Sequence, residues 1–407
     1  MKIRSITCFV DPCYPLNERI LDQAGEFLRI AQSAFTETGY EVQSGRLATV
    51  PFGTILQEAG VGKLSSFTRE LEGKAAGCGY AYISLGPAFP GDPGGYQAIP
   101  EALAATQNAF FAGSMTTQDG RVSLSAVRQC AQVIQAASSI SPDGFANLRF
   151  AALANVPPGS PFFPAAYHTG GDPIFAIATE AADLAVAAFS QVSSMEEARS
   201  SLVKSIETHA RLLTKHANRI EKQTGVRFAG IDFSLAPFPS DEISLGMAME
   251  RLGAPGLGSH GSLAAAAILA DTLDQAEFHR AGFSGLMLPL LEDATLAQRA
   301  AEGQLGVKDL LLYSAVCGTG LDTIPLPGAT SVEQLQALLL DLASLSTRLA
   351  KPLTARLMPI PGKIAGDPTG FNFAYFANSR ILPLAAEPLQ GFLKMDETFA
   401  LHPRGQK

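Results

Sequence analysis

Short apolar runs of strand length alternate with amphipathic stretches of helical length along most of this chain. That alternation predicts an α/β fold with a largely parallel sheet, because parallel neighbours need a long crossover connection, usually a helix. Residues 3–10, 80–85, 150–155, 228–234, 285–288 and 353–358 read as strands. Residues 16–35, 98–110, 241–252, 262–280, 294–304 and 307–316 read as helices.

Two further helices are bounded by their own chemistry. Ser194 and Glu197 open 195–224 as a capping box, and Gly225 supplies the left-handed stop. Ser331 and Gln334 open 331–349, where Val332, Leu335, Leu338, Leu339, Leu342 and Leu345 keep one face apolar. Composition agrees with strands covered on both sides: 47% of residues are hydrophobic, 17% are charged, and mean hydropathy is +0.15. No repeat, low-complexity tract or linker divides residues 1–407, so a single large domain is expected.

A net charge of −8 offers no basic face to nucleic acid or acidic lipid. No apolar run reaches the ~18 residues of a membrane span. The first residues meet Asp11 and Pro12 before any signal-peptide core, so a cytoplasmic protein is expected. Cys8, Cys13, Cys78, Cys130 and Cys317 are odd in number, widely spaced and without a CxxC pair, which argues against a disulfide framework or structural zinc.

Two phosphate-binding look-alikes fail on context. Gly256 to Gly261 spells GxGxxG, but a helix precedes it where the dinucleotide fingerprint needs a strand. Gly62-Lys63 has Gln57 and Leu64 where a phosphate loop needs glycine and a hydroxyl. His209 and His216 flank an apolar helix stripe without HExxH spacing.

The ends of the strands carry the residues that matter. Asp232 and Ser234 close 228–234, and Glu292-Asp293 follows 285–288; such carboxylates are hard donors for magnesium, manganese or calcium, or else helix caps and turn residues. His168 ends the aromatic loop Pro161-Phe162-Phe163-Pro164-Ala165-Ala166-Tyr167, a position suited to a pocket wall. Cys317 leads into a loop broken by Gly318 and Gly320, with Asp322 beyond. The cysteine is a candidate nucleophile and the aspartate a ligand or base; the alternative is a small buried cysteine at a helix-ending turn. Arg356 lies inside an apolar strand and must be paired or face a polar cavity. With Lys363 it suits a carboxylate or phosphate, unless it serves a structural ion pair with one of the acidic residues.

Gly230-Ile-Asp-Phe-Ser-Leu-Ala-Pro237, the aromatic loop 161–168, Gly285-Leu-Met-Leu-Pro289 with Glu292-Asp293-Ala294, and Cys317 to Gly328 together resemble the uncharacterised protein family 0210, or domain of unknown function 711. The resemblance implies a ten-stranded β/α barrel surrounded by helices, similar to that of the pyruvate formate-lyase (glycyl-radical) superfamily. The chain departs from the family pattern at Ala329, where an aspartate would follow Pro327-Gly328. It also lacks the Arg-Val-Ser/Ala-Gly segment of glycyl-radical enzymes near its end, so radical chemistry is not carried over with the fold.

The combined expectation is an enzyme acting on a small anionic metabolite in a barrel mouth, by metal-assisted hydrolysis or carbon-acid chemistry. Arg356, Lys363, Ser234, Gly318 and Gly320 would bind the substrate, Cys317, Asp322 and His168 would carry catalysis, and Asp232, Glu292 and Asp293 would hold a divalent metal. The alternative is a non-catalytic metabolite-binding or regulatory protein. A homo-oligomer, most simply a dimer, is the expected assembly.

Overall fold

Every long strand of this protein is buried on both sides, so alternate side chains feed two different packing layers. A computed structural model describes residues 1–190 and 192–403. Among these residues the strands are β1 (Lys2–Val10), β2 (Gly45–Pro51), β3 (Tyr82–Gly86), β4 (Ala109–Ser114), β5 (Val122–Ser123), β6 (Phe150–Ala154), β7 (Ile174–Glu180), β8 (Arg227–Asp232), β9 (Gly320–Pro327), β10 (Leu353–Ile360) and β11 (Thr398–Phe399).

Nine of them form one sheet in the order β8-β7-β1-β2-β3-β4-β6-β10-β9, while β11 pairs with β5. β1, β2, β3, β4 and β6 are mutually parallel. β7 runs antiparallel to β1 and carries β8 parallel to itself; β10 runs antiparallel to β6 and carries β9 parallel to itself. The sheet is therefore mostly parallel within two blocks of opposite direction. Residues 279–290 contain no regular strand, yet they bridge both outer strands. Ile231 pairs with Arg280 and Leu235 with Leu286 on the β8 side, and Pro289 pairs with Asp322 of β9.

One face of the sheet meets the helices through Ile6, Cys8, Leu47, Ile83, Phe111 and Phe175, all in the main core. The opposite face offers small residues, among them Ala48, Ala112, Ala151 and Ala176, and against these lie Phe163, Ala165 and Ala166 of the aromatic loop. The alanines leave the room that the loop fills. No helix among the described residues is long and apolar enough to cross a membrane.

Several elements depart from the expectations. Helix 98–110 is instead Pro93–Ala105 followed by strand β4. The strand expected at 285–288 belongs to the irregular bridging segment. The stretch read as a loop after Cys317 is mostly β9. Its prolines, Pro325 and Pro327, are tolerated because β9 has a continuous ladder only with β10. Helices Met195–Thr224 and Val332–Leu349 match closely, with Ser194 and Ser331 accepting cap bonds and Gly225 in the left-handed conformation.

Candidate anion site at one end of the sheet

Because the two blocks run in opposite directions, the starts of β1–β4 lie beside the ends of β7 and of the 279–290 segment. A cavity of about 240 Å³ opens there. Arg4 of β1, Arg46 of β2, Arg149 just before β6 and Arg356 of β10 line it, with Glu292. Tyr82, Phe110, Phe162 and Phe163 supply aromatic walls, and Phe373 and Tyr375 from the segment after β10 complete them.

Three of the four arginines are already engaged. Arg4 donates to Glu292, whose other oxygen accepts from Arg356 Nη2 at 3.0 Å, and Arg356 Nε donates to Asp322. Burial works against the Glu292 charge, but the Arg4 and Arg356 guanidiniums outweigh it and hold this carboxyl below its ordinary range. Burial lifts Asp322 above its ordinary value against the pull of Arg356. Arg149 donates to the carbonyls of Leu103 at 2.8 Å and Thr106 at 3.0 Å, capping the helix that ends at Ala105.

Arg46 is different. Its Nε donates to Ser44 Oγ at 3.0 Å, and its guanidinium carbon sits 5.3 Å from the Phe163 ring centre and 5.8 Å from that of Tyr82. Its two terminal nitrogens take no protein acceptor among the described residues. Burial, and then the nearby Arg4 charge, push Arg46 down to about 10. A guanidinium held on aromatic rings without a carboxylate keeps its terminal N–H donors available.

The other expected site residues lie elsewhere. Asp232 accepts from the backbone amides of Phe283 at 3.0 Å and Ser284 at 2.9 Å and from Ser234 Oγ, while Ser234 Oγ accepts from Gly285 at 3.2 Å. These bonds tie β8 to the bridging segment, and burial still leaves the Asp232 carboxyl above its ordinary value. Asp293 caps the helix Ala294–Ala301, accepting from Thr295 at 3.0 Å and Leu296 at 3.1 Å, and also from Gly246 at 3.1 Å and Ser244 Oγ at 2.6 Å. Asp232, Glu292 and Asp293 thus each satisfy their oxygens with protein donors. They do not converge, and no group of three metal-type ligands forms among the described residues. A divalent cation does not fit a carboxylate clamped between two guanidiniums. Asp293→Ala should lower the unfolding free energy by about 2 kcal/mol through the lost cap, measured by urea denaturation.

Cys317 is buried in the main core and does not line the cavity. Gly318 and Gly320 serve backbone packing: a Cβ on Gly318 would lie 2.7 Å from the Gly285 Cα. Lys363 lies in the turn after β10, where its carbonyl accepts from Gly328 at 3.0 Å, and it too is absent from the cavity. Of the expected site residues, only Arg356 and Glu292 line the cavity, and Asp322 reaches it through Arg356.

His168 is buried on the far side of the aromatic loop, its backbone amide donating to Thr49 at 2.9 Å and its Nε2 without a partner. Burial pulls the imidazole below its ordinary value, although the Gly171 and Asp172 backbone favours the charged form. A histidine whose folded value is depressed destabilises the fold once the unfolded chain begins to take up the proton. Stability should therefore fall as pH drops below about 6.5, and His168→Gln should flatten that slope in denaturation curves taken between pH 7 and 5.

The neglected residues had a sequence signal. Arg4 and Arg46 each stand in an apolar strand, as Arg356 does, and the requirement for pairing or a polar cavity applies equally to them.

A family model described as "Uncharacterised ACR (DUF711)" matches residues 1–373. A UPF0210 protein of Pyrobaculum aerophilum is 32% identical over 398 residues, covering 90% of this chain and 87% of the relative. UPF0210 proteins of Desulforudis audaxviator, at 29% identity over 87% of this chain and 82% of the relative, and Pyrobaculum arsenaticum, at 30% over 83% and 78%, are similar over most of their length as well. The same segments that carry Glu292, Asp322 and Arg356 lie within the matched region, and the chain belongs to the uncharacterised UPF0210 (DUF711) family.

Proposed function

We propose that this protein binds a small anionic metabolite in the cavity around Arg46. The observation that carries the reading is the half-buried Arg46 guanidinium, held on Tyr82 and Phe163 and without a carboxylate partner among the described residues. The Glu292–Arg356–Asp322 network supports the wall beside it and fixes Arg356 by the structural pairing that its place in an apolar strand requires.

The barrel belongs to the same reading. Residues 279–290 act as an irregular tenth stave between β8 and β9, and their bridges on both sides support closure of the kind seen in pyruvate formate-lyase-like proteins. Two antiparallel blocks of five would then enclose the aromatic loop, with the cavity at one mouth of a single domain.

Catalysis is the second reading, favoured by the hydroxyls of Tyr82 and Tyr375. Both residues line the cavity, and neither hydroxyl has a protein partner among the described residues. Either tyrosine would move a proton on a bound substrate. The first test is a thermal-shift screen of wild type and Arg46→Met against small carboxylates and phosphates. Stabilisation by an anion that disappears in Arg46→Met is expected; equal shifts in both proteins would refute the Arg46 site. Turnover that is lost in Tyr82→Phe or Tyr375→Phe while ligand binding survives separates enzyme from binding protein.

A further inference from the structure

We infer that the ligand of this cavity is a compact aromatic monoanion, an aryl or heteroaryl carboxylate, and this rests on the reading of Arg46 as the anion receptor. The charge argument comes first. Four guanidiniums line the cavity, but Arg4 and Arg356 share Glu292, Arg356 also holds Asp322, and Arg149 is spent on helix-end carbonyls. Among the described residues Arg46 is the lining guanidinium whose two terminal nitrogens both stay unengaged, so one anionic group finds a full receptor. A second anionic group would meet only guanidiniums already shared with Glu292, Asp322 or the helix-end carbonyls, so it gains less than the first.

Shape and lining give the rest. At about 240 Å³ the cavity lies below the roughly 300–1,000 Å³ of drug-sized sites. Its enclosed part suits a single ring with a short substituent. Its apolar lining is mainly aromatic. Tyr82 meets Phe110 edge-on at 5.5 Å between ring centres, Phe110 meets Phe163 in the same way at 5.5 Å, and Phe373 stands 5.1 Å from Phe145 at the mouth. Chains of edge-to-face rings extend naturally to a further ring, which gains the quadrupole contact in addition to burial. Arg46, already on two ring faces, presents its free nitrogens as a planar fork that matches a carboxylate coplanar with its own ring.

The test is isothermal titration calorimetry of the full chain with benzoate, cyclohexanecarboxylate, phthalate and phenyl phosphate, repeated on Arg46→Met and Arg46→Lys. Benzoate should bind, and cyclohexanecarboxylate, similar in size but without the ring quadrupole, should bind about tenfold more weakly. Phthalate and phenyl phosphate, each carrying more than one charge, should bind at least about tenfold more weakly than benzoate. Arg46→Met should lose benzoate affinity by more than about tenfold, and Arg46→Lys should recover only part because the fork is gone. If cyclohexanecarboxylate matches benzoate, or phthalate or phenyl phosphate binds more tightly, while binding still requires Arg46, the aryl monoanion is overturned and the anion site stands. If no probe binds, or binding is unchanged in Arg46→Met, both inferences fall. Circular dichroism of each variant separates lost binding from lost folding.

Discussion

Glu292→Gln is expected to lower the unfolding free energy by about 3–5 kcal/mol at neutral pH, because it strips a buried carboxylate from between two guanidiniums. The Glu292 side chain is only 6% exposed, and the Arg4 and Arg356 side chains that it receives are 21% and 7% exposed. In the variant Arg356 keeps Asp322, but Arg4 keeps no carboxylate, and only neutral oxygens, that of the amide and the Pro237 carbonyl at 3.4 Å, remain within its reach. The effect also has a pH signature. A carboxyl held below its ordinary value contributes stability that is complete above the ordinary carboxylate range and is lost as pH falls through the depressed value. Urea denaturation at pH 7 and again below pH 4 should therefore show a large gap between wild type and variant that closes in acid. Adding Arg4→Met should restore part of the loss at pH 7, since the stranded cation is then removed as well. A single-variant loss below about 1 kcal/mol would place this pair among ion pairs of little net value.

Gly320→Ala is expected to cost about 3 kcal/mol, the upper end for one strained residue, because two penalties coincide there. Gly320 opens β9 with φ +101, a conformation that L side chains rarely adopt, and a Cβ would lie 2.3 Å from the Thr354 carbonyl oxygen. That carbonyl belongs to β10, directly opposite in register, so relief requires the two strands to separate where Asp322 and Arg356 must meet. Thermal unfolding should show the loss directly, and anion binding should weaken with it. Gly303 is a useful control. It also has positive φ, but nothing would touch its Cβ, so only the smaller conformational penalty is expected.

The alternation of apolar runs and amphipathic helices was legible as α/β because period-two and period-3.6 burial leave different marks on a linear chain. Caps were legible for the same reason: Ser194, Gly225, Ser331 and Gln334 act within a single turn. The family, too, is carried by local segments. The expectation that Arg356 is paired or faces a cavity needed only the cost of burying a charge, and the structure shows both.

What lay beyond the sequence was everything set by contacts distant along the chain. Two antiparallel blocks bring strand starts to the same end as strand ends, so attention to strand C-termini picked out Asp232 and did not reach Arg4 and Arg46, which stand near the starts of their strands. Asp232 and Asp293 look alike in sequence to metal ligands, and only folding reveals the amides of Phe283, Ser284, Thr295 and Leu296 that occupy their oxygens. Glu292 owes its state to Arg4, 288 positions away, and Arg46 owes its freedom to the carboxylates that its neighbours took. A sequence states which charges exist; their partners are decided by which strands lie side by side.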